Sequence, residues 1–529
     1  MSDTGMKPKG AAANSPSPAM PPRTPRLALV GAAVALGALW RLALIPVYWG
    51  WEESDYGDLA MIRGVLDARF LHYDMNHLPG YYALGAAALA VVGDTVLASL
   101  LVSLAGGLIA LGAAVGLADR VLGRRAALAT AALLIVQPEF ALYSASAMRE
   151  PVYGALLMGV LAGLFSERLA LASLAAGGAF LMRMDAAAVL APVLVLHALG
   201  HGPRPRRLAE ALAPLALVML GWSAYCWWDH GTPLFWQDAV AVNVATGGGA
   251  APEDRLVWWR GGLGVVAAMG GWLLPWRIGW GVWLGLALAW RLTPWARHGP
   301  RRTWALLAGS ATGVWLGMGL TAQHGWNHNL YWKWLCGLVP VIVPLGVAGL
   351  EAGLARLKGR AAPRLLSAML VALVIQGLSA SLWETARQVH RSAVLYKPQV
   401  LLARWIEQNV PEQDNLILDN IPSCWINRNP MSRRMITWMD VPTPDGDEAA
   451  FAAWLLRERV RYALFFQEDW TEAPRRAPFL AAGRTWSAGG VTLHAVARED
   501  DYGWIFYTVT PDGQRPPPAP DPAALGAEP

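Results

Sequence analysis

Residues 27–60 read LALVGAAVALGALWRLALIPVYWGWEESDYGDLA, an apolar run from Leu27 to Tyr48 followed by four carboxylates, Glu52, Glu53, Asp55 and Asp58, within seven residues. An α-helix rises 1.5 Å per residue, so about 20 apolar residues cross a ~30 Å hydrocarbon layer. Leu27–Tyr48 meets that length and is too long for the core of a signal peptide. It reads as the first transmembrane helix, preceded by a basic, disordered cytoplasmic tail over 1–26 (Lys7, Lys9, Arg23, Arg26).

The rest of the chain agrees. Of its 529 residues 55% are hydrophobic and only 15% charged, with 54 Gly and 28 Trp, whereas soluble domains carry nearer a quarter charged. The net charge of +5 is too small for a nucleic-acid binder of this length, and it is unevenly spread. Residues 1–383 hold 28 basic and 19 acidic side chains, and 384–529 hold 15 and 19. The expected division is a transmembrane domain over 27–383, a small soluble α/β domain over 384–510 and a disordered Pro-rich tail over 511–529. Cys226, Cys336 and Cys424 are too few and too scattered for a disulfide framework or a zinc site.

Positive charge marks the cytoplasmic loops. Basic clusters fall at Arg120-Arg124-Arg125, Arg204-Arg206-Arg207, Arg297-His298-Arg301-Arg302 and Arg356-Lys358-Arg360-Arg364. With the N-terminus inside, spans at 27–48, 95–118, 126–143, 151–165, 169–182, 186–200, 209–228, 276–295, 303–322, 335–355 and 365–383 satisfy every cluster. This makes about eleven transmembrane helices, provided that Leu78–Val92 and Gly262–Leu274 lie at the outer interface without crossing. The segments 49–77, 144–150, 229–260 and 323–334 then face outward, and the soluble domain follows on that side. Within that domain, 400–408 and 449–458 read as helices, and 415–419, 461–466 and 491–496 as strands.

Chemistry concentrates on the outward segments. If the first loop is helical, Glu52, Asp55 and Tyr56 share a face at three- and four-residue spacing, and partial desolvation beside lipid suits a carboxylate to general-base work. The alternative is a solvated acidic loop. His77-Leu78-Pro79-Gly80-Tyr81-Tyr82 opens the interfacial helix, and Arg149-Glu150 precedes a membrane helix. Arg183-Met184-Asp185 lies between two short helices, and Lys333-Trp334 precedes Leu335-Cys336-Gly337-Leu338-Val339-Pro340. Taken singly, such residues are snorkelling anchors or structural ion pairs.

As an ordered set they resemble the GT-C superfamily of membrane glycosyltransferases that use polyprenyl-phosphate sugars, the type of the lipid A aminoarabinose transferases and protein O-mannosyltransferases. The likeness is firmer over 40–190 than over 209–330. The family's first-loop pattern Asp-Glu-x-x-Tyr-x-x-x-Ala aligns Tyr56 and Ala60 and puts Glu52 and Glu53 at the Asp-Glu positions; Asp55 stands one helical turn on. The resemblance implies a base drawn from Asp55, Glu52 and Glu53, a second-loop acid at Glu150, and donor-phosphate contacts from His77, Arg149 and Lys333. It further implies a lipid-linked sugar donor, a glycan, lipid or protein acceptor, a bacterial inner-membrane location and an outward C-terminal domain.

Two motifs compete poorly. Trp227-Trp228-Asp229-His230-Gly231 looks like an oligosaccharyltransferase signature but ends a mid-chain helix, where an aromatic interfacial belt is expected. His324 and His328, four apart, would share a divalent metal if helical, yet no acid is near and Gly325 and Asn327 favour a loop. No phosphate loop or dinucleotide fingerprint is visible, which disfavours nucleotide-driven chemistry. A transporter or lipid flippase, the alternative class, calls for repeats and charges near the bilayer midplane, and a non-catalytic envelope-assembly subunit is the third reading.

Overall fold

A computed structural model of the chain describes residues 27–45, 78–200, 204–231, 280–292, 299–321, 330–356, 361–391, 447–466, 477–482, 485–499 and 504–525, with shorter pieces that include Ile62, Val65, 415–417 and 435–436. The membrane part is helical: α1 (Leu27–Leu44), α2 (Gly80–Val92), α3 (Thr95–Val121), α4 (Arg124–Val136), α5 (Pro138–Tyr143), α6 (Glu150–Phe165), α7 (Leu169–Met182), α8 (Asp185–Gly200), α9 (Pro205–His230), α10 (Trp280–Leu292), α11 (Pro300–Thr321), α12 (Leu330–Leu354) and α13 (Ala361–Arg391).

Among the described residues five helices are long and apolar enough to cross a membrane by themselves: Leu27–Leu44, Thr95–Val121, Pro205–Trp228, Cys336–Leu354 and Pro363–Arg387. Leu36, Leu39 and Leu42 of α1 and Val371, Ile375 and Leu382 of α13 are exposed, as side chains solvated by lipid would be. Helices stand at each of the other expected spans, but several are short; α7 has 14 residues. The run 126–143 is two helices rather than one. Gln137 is extended, its side chain caps α5 by accepting from the Phe140 N–H at 2.6 Å, and Pro138 cannot continue the α4 hydrogen-bond ladder. Gly262–Leu274 lies outside the described residues.

Helix ends follow local chemistry. Gly93 closes α2 in the left-handed region (φ 76°), and the Asp94 carboxylate accepts from the Leu97 N–H at 2.9 Å to open α3. α3 and α12 run through the middle of the bundle. α3 packs on α1, α2, α4 and α6, while α12 packs on α10, α6, α4 and α11. Small residues set the closest crossing, because a Cβ on Gly285 of α10 would overlap the Gly346 carbonyl of α12.

A second hydrophobic cluster belongs to a six-stranded sheet of order β2-β1-β3-β6-β5-β4. Its strands are β1 (Asn415–Ile417), β2 (Met435–Ile436), β3 (Val460–Phe466), β4 (Thr485–Ala488), β5 (Val491–Glu499) and β6 (Trp504–Pro511). β2, β1 and β3 are parallel, and β3, β6, β5 and β4 antiparallel. Helix α14 (Glu448–Arg457) brings Phe451 and Leu455 into one cluster with Ala463, Phe465, Ile505 and Tyr507. Tyr462 and Phe506 alternate to the opposite face and meet Trp405.

The expected strands at 415, 461 and 491 are present, and β2, β4 and β6 are additional. The segment after Pro511, expected to be disordered, is ordered as far as Leu525. Pro517 and Pro520 are buried, Tyr462 Oη donates to the Pro518 carbonyl at 3.2 Å, and Arg461 Nη1 donates to Gln514 Oε1 at 2.9 Å. Proline presets the extended backbone, so docking such a strip costs little chain entropy.

Candidate active site

Four of the sequence elements singled out above meet at one corner of the bundle. Glu150 is the first residue of α6. Arg183 follows α7, and Asp185 begins α8. Arg183 Nη1 donates to Glu150 Oε1 at 2.9 Å and Arg183 Nε to Asp185 Oδ1 at 3.1 Å. Arg149 Nε lies 3.8 Å from Glu150 Oε1. The pair Arg183/Asp185, ordinary as a sequence feature, is thus one half of a buried network whose other half is the second-loop acid. The Arg183 guanidinium also stands 6.0 Å from the centre of the Tyr153 ring.

The interfacial element closes on the same corner. A Cβ on Gly80 would sit 2.7 Å from the Leu181 carbonyl oxygen, two residues before Arg183. Tyr81 Oη and Ser103 Oγ of α3 are 2.9 Å apart. Ser103 Oγ donates to the Met148 carbonyl at 2.6 Å and accepts from the Met148 N–H at 2.8 Å. This pins the turn 144–149 and so aims Arg149 and Glu150. Gly106 and Gly107 of α3 let that turn approach, since a Cβ on Gly106 would be 2.7 Å from the Val152 nitrogen and one on Gly107 would collide with Ser144. From the other side, a Cβ on Gly337 of α12 would lie 3.2 Å from the Glu150 carbonyl oxygen. Lys333 is in the first turn of α12, four residues before Gly337.

Asp55, Glu52, Glu53, His77, His324 and His328 lie outside the described residues. Among the described residues no group of three or more His, Cys, Asp or Glu side chains could hold a metal. Trp227 and Trp228 are exposed, 65% and 81%, at the end of α9.

Sequence reading missed Arg41, Ser103, Glu139 and Tyr153. Arg41 is fully buried within α1, where it donates to the carbonyls of Gly37 (3.1 Å) and Leu134 (3.5 Å) and covers the Phe140 ring at 4.8 Å. Its signal was available, because an ionisable residue inside a span faces the bundle and has a task there. Glu139, buried on α5 next to Phe140 in sequence, accepts from the Gln137 amide.

The fold is shared with ArnT. The chain matches ArnT from Cupriavidus metallidurans bound to undecaprenyl phosphate with a TM-score of 0.56 and 15% identity, over 91% of this chain and 97% of that one. It matches the apo state of ArnT with a TM-score of 0.54 and 15% identity, over 91% and 98%. No protein-family model and no curated sequence matches the chain. At this identity the likeness to ArnT is one of fold, over nearly the whole chain.

Proposed function

We propose that the protein is a GT-C glycosyltransferase that moves a sugar from a polyprenyl-phosphate donor to a hydroxyl acceptor at the outer face of a bacterial inner membrane. The observation that carries this reading is the fold shared over nearly the whole chain with ArnT, a protein solved bound to undecaprenyl phosphate. The buried Arg183–Glu150–Asp185 network supports it by rigidly seating an acid and Arg149 at the end of a membrane helix.

In the proposed reaction the acceptor hydroxyl oxygen attacks the anomeric carbon while a first-loop carboxylate, Asp55 or Glu52 with Glu53 beside them, takes its proton. The anomeric carbon–oxygen bond to phosphate breaks, and polyprenyl phosphate departs with the electron pair. His77, Arg149 and Lys333 stabilise the growing negative charge on that phosphate, more strongly where water is scarce. Glu150, held by one oxygen, organises the site beneath.

The test compares a deletion strain with strains carrying Asp55→Asn, Glu52→Gln or both, by mass spectrometry of glycolipids, wall glycans and glycoproteins. The deletion is expected to remove one sugar modification and accumulate one lipid-linked donor, and the double variant to reproduce that loss at normal protein abundance. Full modification in the double variant removes these residues as the base.

A further inference from the structure

Two polar atoms in the Glu150 network are left over once the contacts among the described residues are counted. Among the described residues, Glu150 Oε2 and the Tyr153 hydroxyl are buried without a hydrogen-bond partner, on residues that are each 1% exposed. They occupy positions three apart on α6, hence one face of the helix. Glu150 spends Oε1 on Arg183 at 2.9 Å, which leaves Oε2 as an acceptor, while the Tyr153 O–H is a donor. Unmade hydrogen bonds at buried groups are costly. A phenylalanine at 153 would keep the ring against Gly337 and Arg183 without that cost, so the hydroxyl is free to serve a partner other than the described residues.

The position of the pair indicates which partner. Side-chain exposure within the network falls from Arg149 (15%) through Asp185 (11%) and Arg183 (6%) to Glu150 (2%), so it opens at Arg149. A phosphate bound there carries its sugar one bridging oxygen away, next to residue 150. Resting on the donor reading above, we propose that Glu150 Oε2 and Tyr153 Oη form the subsite for the donor sugar's hydroxyl groups, one hydroxyl donating to the carboxylate and another oxygen accepting from the tyrosine. Arg183, anchored on Asp185, is the positioning residue that keeps Glu150 Oε1 occupied and Oε2 available.

The test uses full-length protein in lipid nanodiscs, wild type and Tyr153→Phe, titrated with bare undecaprenyl phosphate and with undecaprenyl phosphate bearing glucose, mannose or N-acetylglucosamine. Wild type is expected to bind at least one glycolipid more tightly than the bare lipid. Tyr153→Phe is expected to lose about tenfold for that glycolipid, the loss of roughly one good hydrogen bond. Its affinity for the bare lipid stays unchanged, and its unliganded melting temperature is equal or higher because an orphan hydroxyl is gone. Equal weakening of both ligands, no weakening of either, or a wild type that cannot tell glycolipid from bare lipid overturns the subsite and assigns the hydroxyl to a trapped water or to packing. Failure of wild type to bind bare undecaprenyl phosphate overturns the donor reading itself, a result independent of the variant.

Discussion

Arg183 is held at both ends, by Glu150 and by Asp185, inside a region that is almost dry. Removing one partner of such a buried set strands the others, at about 3–5 kcal/mol. Arg183→Met is therefore expected to lower the thermal midpoint in detergent strongly and to abolish transfer. Adding Glu150→Gln to it is expected to restore part of the stability and none of the activity. A single-variant midpoint equal to wild type would show that Arg183 does not brace this corner. Arg41 solves a different problem. The Leu134 carbonyl would normally accept from the N–H of residue 138, which is proline and has none. The buried guanidinium, donating to that carbonyl at 3.5 Å, supplies the missing hydrogen and steadies the break between α4 and α5.

At the scale of elements, the turn 144–149 depends on α3. Two adjacent glycines clear its path and Ser103 holds it at Met148. Gly107→Val puts side-chain atoms where Ser144 lies, in a packed interior where added volume costs about 1–3 kcal/mol or more. The expected result is a shifted second loop, with transfer lost and expression reduced, whereas Gly116→Ala on the same helix, whose Cβ meets only the end of Val30 at 3.6 Å, behaves as wild type. Activity assays on the two variants in matched membranes check this. The division of 126–143 into α4 and α5 belongs to the same scale. Hydropathy alone runs straight through Gln137-Pro138, and the backbone does not.

For the whole molecule, the positive-inside reading makes a sharp statement about parity. With the N-terminus inside and α2 lying at the interface, the segment after α12 is cytoplasmic and the segment after α13 outward. Alkaline phosphatase fused after residue 358 should be inactive and fused after residue 391 active, with a cytoplasmic fluorescent reporter giving the reverse. If the reporter after 391 behaves as cytoplasmic, α2 or the 262–274 segment crosses and the orientation of the sheet domain is inverted. That domain has its own core, built around Phe451, Phe465 and Tyr507, and its Pro-rich end is folded onto β3.

Composition, apolar run length and the placement of Lys and Arg were enough to determine a helical membrane protein with a small mixed α/β appendage, because those features record the solvent each segment meets. Motif order was enough to suggest the GT-C fold. What it left undecided was pairing. Arg183, Asp185, Glu150 and Tyr153 lie within 36 positions of one another, yet nothing local says that a loop between α7 and α8 returns to the first turn of α6, or that Arg41 reaches Leu134, 93 residues away. The short strands β2 and β4 and the docked tail were hidden for the same reason. A two-residue strand or a proline strip carries little preference of its own, and only the tertiary structure supplies the neighbours that bury it and satisfy its hydrogen bonds.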